Sequence, residues 1–172
     1  EDRASAEAEA ITVGPAVPVY RALLVGNTYA GADNELKGCD TDIASMKTML
    51  SSMTGTPYAI TSMLNITSAD MKNYISSTFS GAALCDVSLF YFSGHGTSDG
   101  SLVGTSNSIL SVSALRSVLD TIPGTKIVII DACYSGNMIA KSAGSLSPSS
   151  FNSAFIRKRE IYSIIFRIGI IL

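Results

Sequence analysis

The chain is poor in the residues from which metal centres, disulfide frameworks and charged interfaces are built. Its 172 residues hold one histidine and three cysteines, Cys39, Cys85 and Cys133. These have no metal-ligand spacing, and with a single imidazole beside them they argue against a zinc site. Three thiols cannot all pair, so a reduced protein or a free thiol fits better than a disulfide scaffold. Charged residues are only 15% of the chain and the formal net charge is −2, which leaves no electrostatic footprint for nucleic acid. The apolar stretch 161–172 is interrupted by Arg167 and falls short of the ~20 residues that a membrane helix needs. The opening Glu1-Asp2-Arg3 carries no apolar leader, and without an initiator methionine the chain reads as a fragment or a mature form; cytoplasmic and secreted locations both stay open. No Gly-rich phosphate loop follows the first strand, which disfavours a nucleotide- or flavin-binding domain.

What the chain does have is apolar content, 47%, enough for one globular domain with a real core. Residues 1–19, with Pro15 and Pro18, read as a tail or linker. The spacing then predicts a strand over 21–26, a helix after Asp42 with Ile43, Met46, Met49 and Leu50 on one face, and a strand over 58–64. A helix over 69–79, capped by Thr67 or Ser68, carries a core stripe of Met71, Tyr74 and Ile75. A strand over 87–92 and a small hairpin around Asp99-Gly100 follow. A helix over 112–122 stops before Pro123-Gly124, and a last strand runs over 126–130. Strand and helix alternate, so an α/β fold with a parallel sheet covered on both faces is expected.

Two strand ends concentrate the chemistry. Ile127-Val128-Ile129-Ile130 has no polar alternation and reads as a strand buried on both faces; it runs into Asp131-Ala132-Cys133. Val87 to Phe92 runs into Ser93-Gly94-His95-Gly96, which contains the sole histidine. Ligands in open α/β sheets bind beyond the carboxyl ends of the strands. A cysteine alone is usually a small buried hydrophobe. Here a thiol and an imidazole end two strands of one sheet, which is the nucleophile and base that covalent catalysis requires. Strand alternation would also set Asp131 on the side of Cys133.

Ser-Gly-His-Gly after an aromatic strand and Asp-Ala-Cys-Tyr-Ser-Gly after an aliphatic one resemble the large-subunit part of caspase-fold cysteine peptidases, and most of all bacterial metacaspases (orthocaspases). The resemblance covers roughly residues 20–155. A caspase proper has Gln before Ala-Cys, where this chain has Asp131. The resemblance implies a caspase-like three-layer fold with strand order 2-1-3-4 and a Cys133–His95 dyad acting through a thioester. It also implies an oxyanion hole of the Cys133 and Gly96 N–H groups, and a pocket of Cys39, Asp42, Ser93 and Asp131 for Arg or Lys before the cleaved bond. Asp42 as a solvated helix acid and Cys39 as plain core stay open as alternatives. Many metacaspases require calcium, but after His95 this chain offers only Asp99, so no cofactor and no metal are read from it.

A catalytic domain is thus expected over 20–156, with peptides or proteins as partners and no reading of oligomeric state. Residues 141–150 read as a flexible loop, and a helix is expected to begin near 151–156. The family's small-subunit part is expected to be missing, its place taken by an atypical basic and apolar tail over 157–172 that either covers the edge of the Cys133 strand or hangs free. Trimming after Ile156 is expected to leave the dyad arrangement intact. The rival readings are a weakly active or inactive caspase-fold scaffold and a cysteine hydrolase acting on other amides or esters.

Overall fold

The computed structural model describes residues 17–133 and the backbone of 162–166. The expected loop at 141–150 and helix near 151–156 lie outside the described residues. Strands β1 (Tyr20–Gly26), β2 (Tyr58–Leu64) and β3 (Val87–Ser93) alternate with helices α1 (Cys39–Ser51) and α2 (Ser68–Thr78). After them come a short hairpin, β4 (Leu102–Val103) with β5 (Ile109–Leu110), helix α3 (Val112–Leu119), β6 (Thr125–Asp131) and β7 (Tyr162–Phe166). The main sheet runs β2-β1-β3-β6-β7, and all four of its pairings are parallel. Its first four strands follow the order that the resemblance implied. β7 lies along β6 from Lys126↔Tyr162 to Ile130↔Phe166, so part of the tail covers the edge that β6 would otherwise expose.

Alternation sorts the strand side chains onto two faces. Leu23, Val25, Phe90, Phe92, Val128 and Ile130 pack with α2 and α3 through Met71, Ile75, Leu115 and Leu119. Ala22, Leu24, Leu89 and Tyr91 pack with Ile43 and Leu50 of α1. β3, covered on both faces, is buried along nearly its whole length. β6 is not. Lys126, Val128 and Ile130 are buried while Ile127 and Ile129 are half-buried, because the latter lie at the margin of the α1 cluster. The run without polar alternation therefore reports one full face and one partial face.

The helices carry their own punctuation. Thr67 caps α2 with a reciprocal pair, its Oγ1 accepting from Asp70 N at 3.2 Å while Asp70 Oδ2 accepts from Thr67 N at 3.4 Å. Ser111 caps α3 through Ala114 N, and α3 ends at Leu119, three residues before the expected stop at 122. α1 begins at Cys39 rather than after Asp42, entered from Gly38 in the left-handed region. Met49 faces solvent at 50% exposure, so the apolar stripe of α1 is narrower than its spacing implied. Gly26 lets α1 sit on the end of β1, since a Cβ there would meet the Ile43 side chain and the Cys39 carbonyl oxygen.

At the amino end of the sheet, Asp86 accepts from Arg21 Nη1 (2.8 Å), Val19 N (2.9 Å) and Ala83 N (3.0 Å). The two backbone N–H groups and the Arg21 guanidinium hold its carboxyl well below the usual carboxylate range. Among the described residues, no helix is long and apolar enough to cross a membrane.

Candidate active site

The paired ends of β3 and β6 set the site. Ser93 and Asp131 are the last register partners of these strands, and His95 and Cys133 each lie two residues beyond. Gly94 N donates to the Asp131 carbonyl at 3.1 Å, which extends the pairing past the strand ends. Gly96 lies so close to the backbone carbonyl of Cys133 that a Cβ there would press into it. The His95 loop and the Cys133 turn are therefore in contact. Gly96 faces Leu102 in an antiparallel bridge flanked by Val103 N→His95 O and Thr97 N→Ser101 O, so its own N–H points away from the hairpin. Cys133 is half-exposed.

His95 has two holders that the sequence did not reveal. Its Nε2 lies 2.6 Å from the carbonyl oxygen of Asn34. A carbonyl only accepts, so the neutral imidazole carries its proton on Nε2 and keeps Nδ1 as the basic nitrogen. The ring of Tyr29 stacks against the imidazole with centroids 4.7 Å apart. The Tyr29 hydroxyl accepts from His95 N (2.9 Å) and donates to Val103 O (2.7 Å). Burial pushes the Tyr29 phenol up to about 12, so it stays a neutral donor. Asn27, fully buried, ties this loop down: Oδ1 accepts from Ile66 N, and Nδ2 donates to Ile66 O and Val103 O. A backbone carbonyl leaves no mark in a residue pattern, which is why Asn34 could not be read in advance.

The four pocket candidates converge. Cys39 and Asp42 both belong to the first turn of α1, one turn apart. Ser93 Oγ donates to Asp42 Oδ2 at 2.8 Å. Asp131 continues the Ile127–Ile129 side of β6 and so lies on the α1 face. Burial pushes the Cys39 thiol up, the Ser93 hydrogen bond works against this, and the charges of Asp42 and Asp131 add to it. Tyr91 lies beneath the same two carboxylates, and burial first, then their charges, push its phenol up as well. Asp42 is a half-buried acid of the first turn of α1 that also accepts from Ser93, and Cys39 is buried in the core beside it. β6 ends at Asp131, so strand alternation does not extend to Cys133 and cannot set the relation between those two side chains.

The hairpin turns at Ser106-Asn107 rather than at Asp99-Gly100, which closes a separate turn between Thr97 and Ser101. Asp99 is engaged there by Thr97 Oγ1 and Ser101 N. Among the described residues no three His, Cys, Asp or Glu side chains converge as metal ligands.

A parallel α/β sheet with a thiol and an oriented imidazole at its carboxyl edge offers the two groups that covalent cysteine catalysis requires. The family model of the caspase domain matches residues 20–161, and the chain belongs to that family of cysteine-type peptidases. It is 28% identical to Metacaspase-9 of Arabidopsis thaliana over 159 residues, covering 77% of this chain and 48% of the relative. The chain thus spans about half the length of this curated relative.

Proposed function

We propose that the chain is a cysteine endopeptidase that cleaves after Arg or Lys through Cys133 and His95. The observation that supports this reading is the shared strand edge, where His95 and Cys133 each lie two residues beyond the Ser93↔Asp131 pair, beside two carboxylates on the α1 face. Cys133 Sγ gives its proton to His95 Nδ1 and attacks the scissile carbonyl, forming a C–S bond. The developing oxyanion is met by the N–H groups of Gly96 and Cys133. The imidazolium returns the proton to the leaving amine, the C–N bond breaks and a thioester remains. Water, deprotonated by the imidazole, then displaces the thiolate and releases the acid. Thiol, imidazole and backbone N–H groups suffice for these steps, which call on no cofactor.

Asp131 and Asp42 meet the substrate cation, with Ser93 orienting Asp42. The Cys39 thiol, held protonated, lines this pocket without competing as a nucleophile. The test is hydrolysis of fluorogenic peptides ending in Arg or Lys. Cys133→Ala is expected to abolish it, and His95→Ala to lower it by ~10²–10⁴-fold. Undiminished hydrolysis by Cys133→Ala would defeat the assignment.

A further inference from the structure

The Ser93 hydroxyl is the meeting point of three polar groups. It donates to Asp42 Oδ2 at 2.8 Å, and it also hydrogen-bonds with the Tyr91 phenol and the Cys39 thiol. Tyr91 and Ser93 stand two residues apart on β3, so strand alternation sets both on the face that α1 covers. The first turn of α1 brings Cys39 and Asp42 to the same place. Across the sheet Tyr91 pairs with Ile129 and Ser93 with Asp131, so the second carboxylate borders the group as well. Ser93 is 2% exposed and Tyr91 5%, which leaves water little part in satisfying either hydroxyl.

A serine hydroxyl has one proton to give and two lone pairs with which to accept. A carboxylate only accepts, so the Ser93 proton goes to Asp42. The phenol and the thiol are then the donors to the serine oxygen, and both keep the proton that this requires. Burial first, then the charges of Asp42 and Asp131, push the Tyr91 phenol up. Burial does the same for the Cys39 thiol, with the two charges adding to it. A phenolate or thiolate in either place would draw the serine proton away from Asp42. Of the two donors the thiol is the weak one, so Tyr91 has the larger part in setting the direction of the serine O–H. A hydroxyl that accepts a bond is polarised and donates more strongly. The Tyr91 ring packs with Leu24, Ile43, Leu50 and Leu89, a place that phenylalanine would fill equally well. The oxygen is what tyrosine adds there.

We propose that Tyr91 is a positioning residue of the basic pocket: its hydroxyl donates to Ser93, commits the serine proton to Asp42 and thereby fixes that carboxylate for the cation of the substrate. The role rests on the peptidase reading, with its pocket for Arg or Lys. Tyr91 is buried beneath the carboxylates and acts through Ser93 without meeting the substrate. Without its hydroxyl Ser93 keeps only the weak thiol donor, and the half-buried Asp42 is freer to turn toward water.

The test uses the full chain and two fluorogenic peptides, one with Arg before the cleaved bond and one with citrulline, its uncharged analogue. Tyr91→Phe keeps the ring and its packing and removes the oxygen alone. It is expected to lower Arg-over-citrulline selectivity in kcat/KM by about three- to ten-fold, the worth of one neutral hydrogen bond. The loss should fall on KM for the Arg peptide, while the citrulline peptide and the rate of Cys133 alkylation by iodoacetamide stay unchanged. In an Asp42→Asn background Tyr91→Phe should shift selectivity by less than about two-fold, because the group it positions has lost its charge. In an Asp131→Asn background its effect should be at least as large as in the wild type. A purely packing role for Tyr91 would lower both peptides together in every background. Equal losses on the two peptides, unchanged selectivity, or an effect that adds in full to Asp42→Asn overturns the role of Tyr91. If the wild type prefers Arg to citrulline and Tyr91→Phe leaves that preference intact, this role alone falls. If the wild type hydrolyses neither peptide and a peptidyl-Arg chloromethyl ketone leaves Cys133 unlabelled, the peptidase reading falls with it.

Discussion

Replacing Asp131 by Asn removes one negative charge from the α1 face while keeping the size and shape of the side chain. The last β3–β6 pair, Ser93↔Asp131, depends on backbone geometry and should survive. A charge-assisted hydrogen bond to a guanidinium is worth roughly 1.5–3 kcal/mol, or about one to two decades in kcat/KM. Two features place the expected loss at the lower end. Asp131 is half-exposed, so water screens it, and Asp42 stays fixed by Ser93 at 2.8 Å as a second carboxylate for the cation. About a ten-fold fall is expected for an Arg substrate. The assay pairs that substrate with its citrulline analogue, which keeps the shape and loses the charge. Only the Arg substrate should fall, so Arg-over-citrulline selectivity should drop by the same ~10-fold. Asp42→Asn should act in the same direction, and the double variant should depart from additivity because both carboxylates serve one cation. Equal losses on Arg and citrulline would show that Asp131 supports the site without reading charge, and a wild type that cleaves better after Asp than after Arg would refute the pocket outright.

Three further outcomes follow from the same geometry. Tyr29→Phe leaves His95 N unpaired, leaves Val103 O with Asn27 as its remaining donor and loosens the imidazole, so kcat should fall by about five- to thirty-fold with KM nearly unchanged, since Tyr29 is not part of the acidic pocket. Gly96→Ala drives a methyl into the Cys133 carbonyl and should suppress turnover while far-ultraviolet dichroism stays native, because the clash lies beyond the strand ends. Asp86 has a folded pKa below its unfolded one, so its contribution to stability is present above about pH 4 and is lost as pH falls further. Urea midpoints of wild type and Asp86→Asn should therefore differ clearly at pH 6, and the difference should start to narrow as pH falls below about 4 and keep narrowing toward the much lower folded pKa.

The parts of the fold that could be read from the residues are those governed by hydrophobic runs. β3 and β6 announced themselves as apolar stretches ending in Ser-Gly-His-Gly and Asp-Ala-Cys, and with them the positions of His95 and Cys133. Parallel pairing then brought Ser93 and Asp131 into register, a long-range consequence that no local pattern contains. Boundaries were harder where one residue type suits two conformations. Asp99-Gly100 resembles a hairpin turn and does close one, but the β4–β5 turn uses Ser106-Asn107 with positive φ, against the usual preference for glycine. α1 reaches back to Cys39 because Gly38 adopts the left-handed region ahead of it, and this joins Cys39 and Asp42 in one helical turn. Asn34 was out of reach altogether, since its carbonyl, not its side chain, holds the imidazole.

The most direct test of the account is to label the full chain with a peptidyl-Arg chloromethyl ketone and locate the adduct by peptide mass spectrometry. Modification confined to Cys133, sparing the buried Cys39 and the exposed Cys85, and lost in His95→Ala, is the predicted result. Labelling spread according to exposure, with Cys85 first and no dependence on His95, would contradict it.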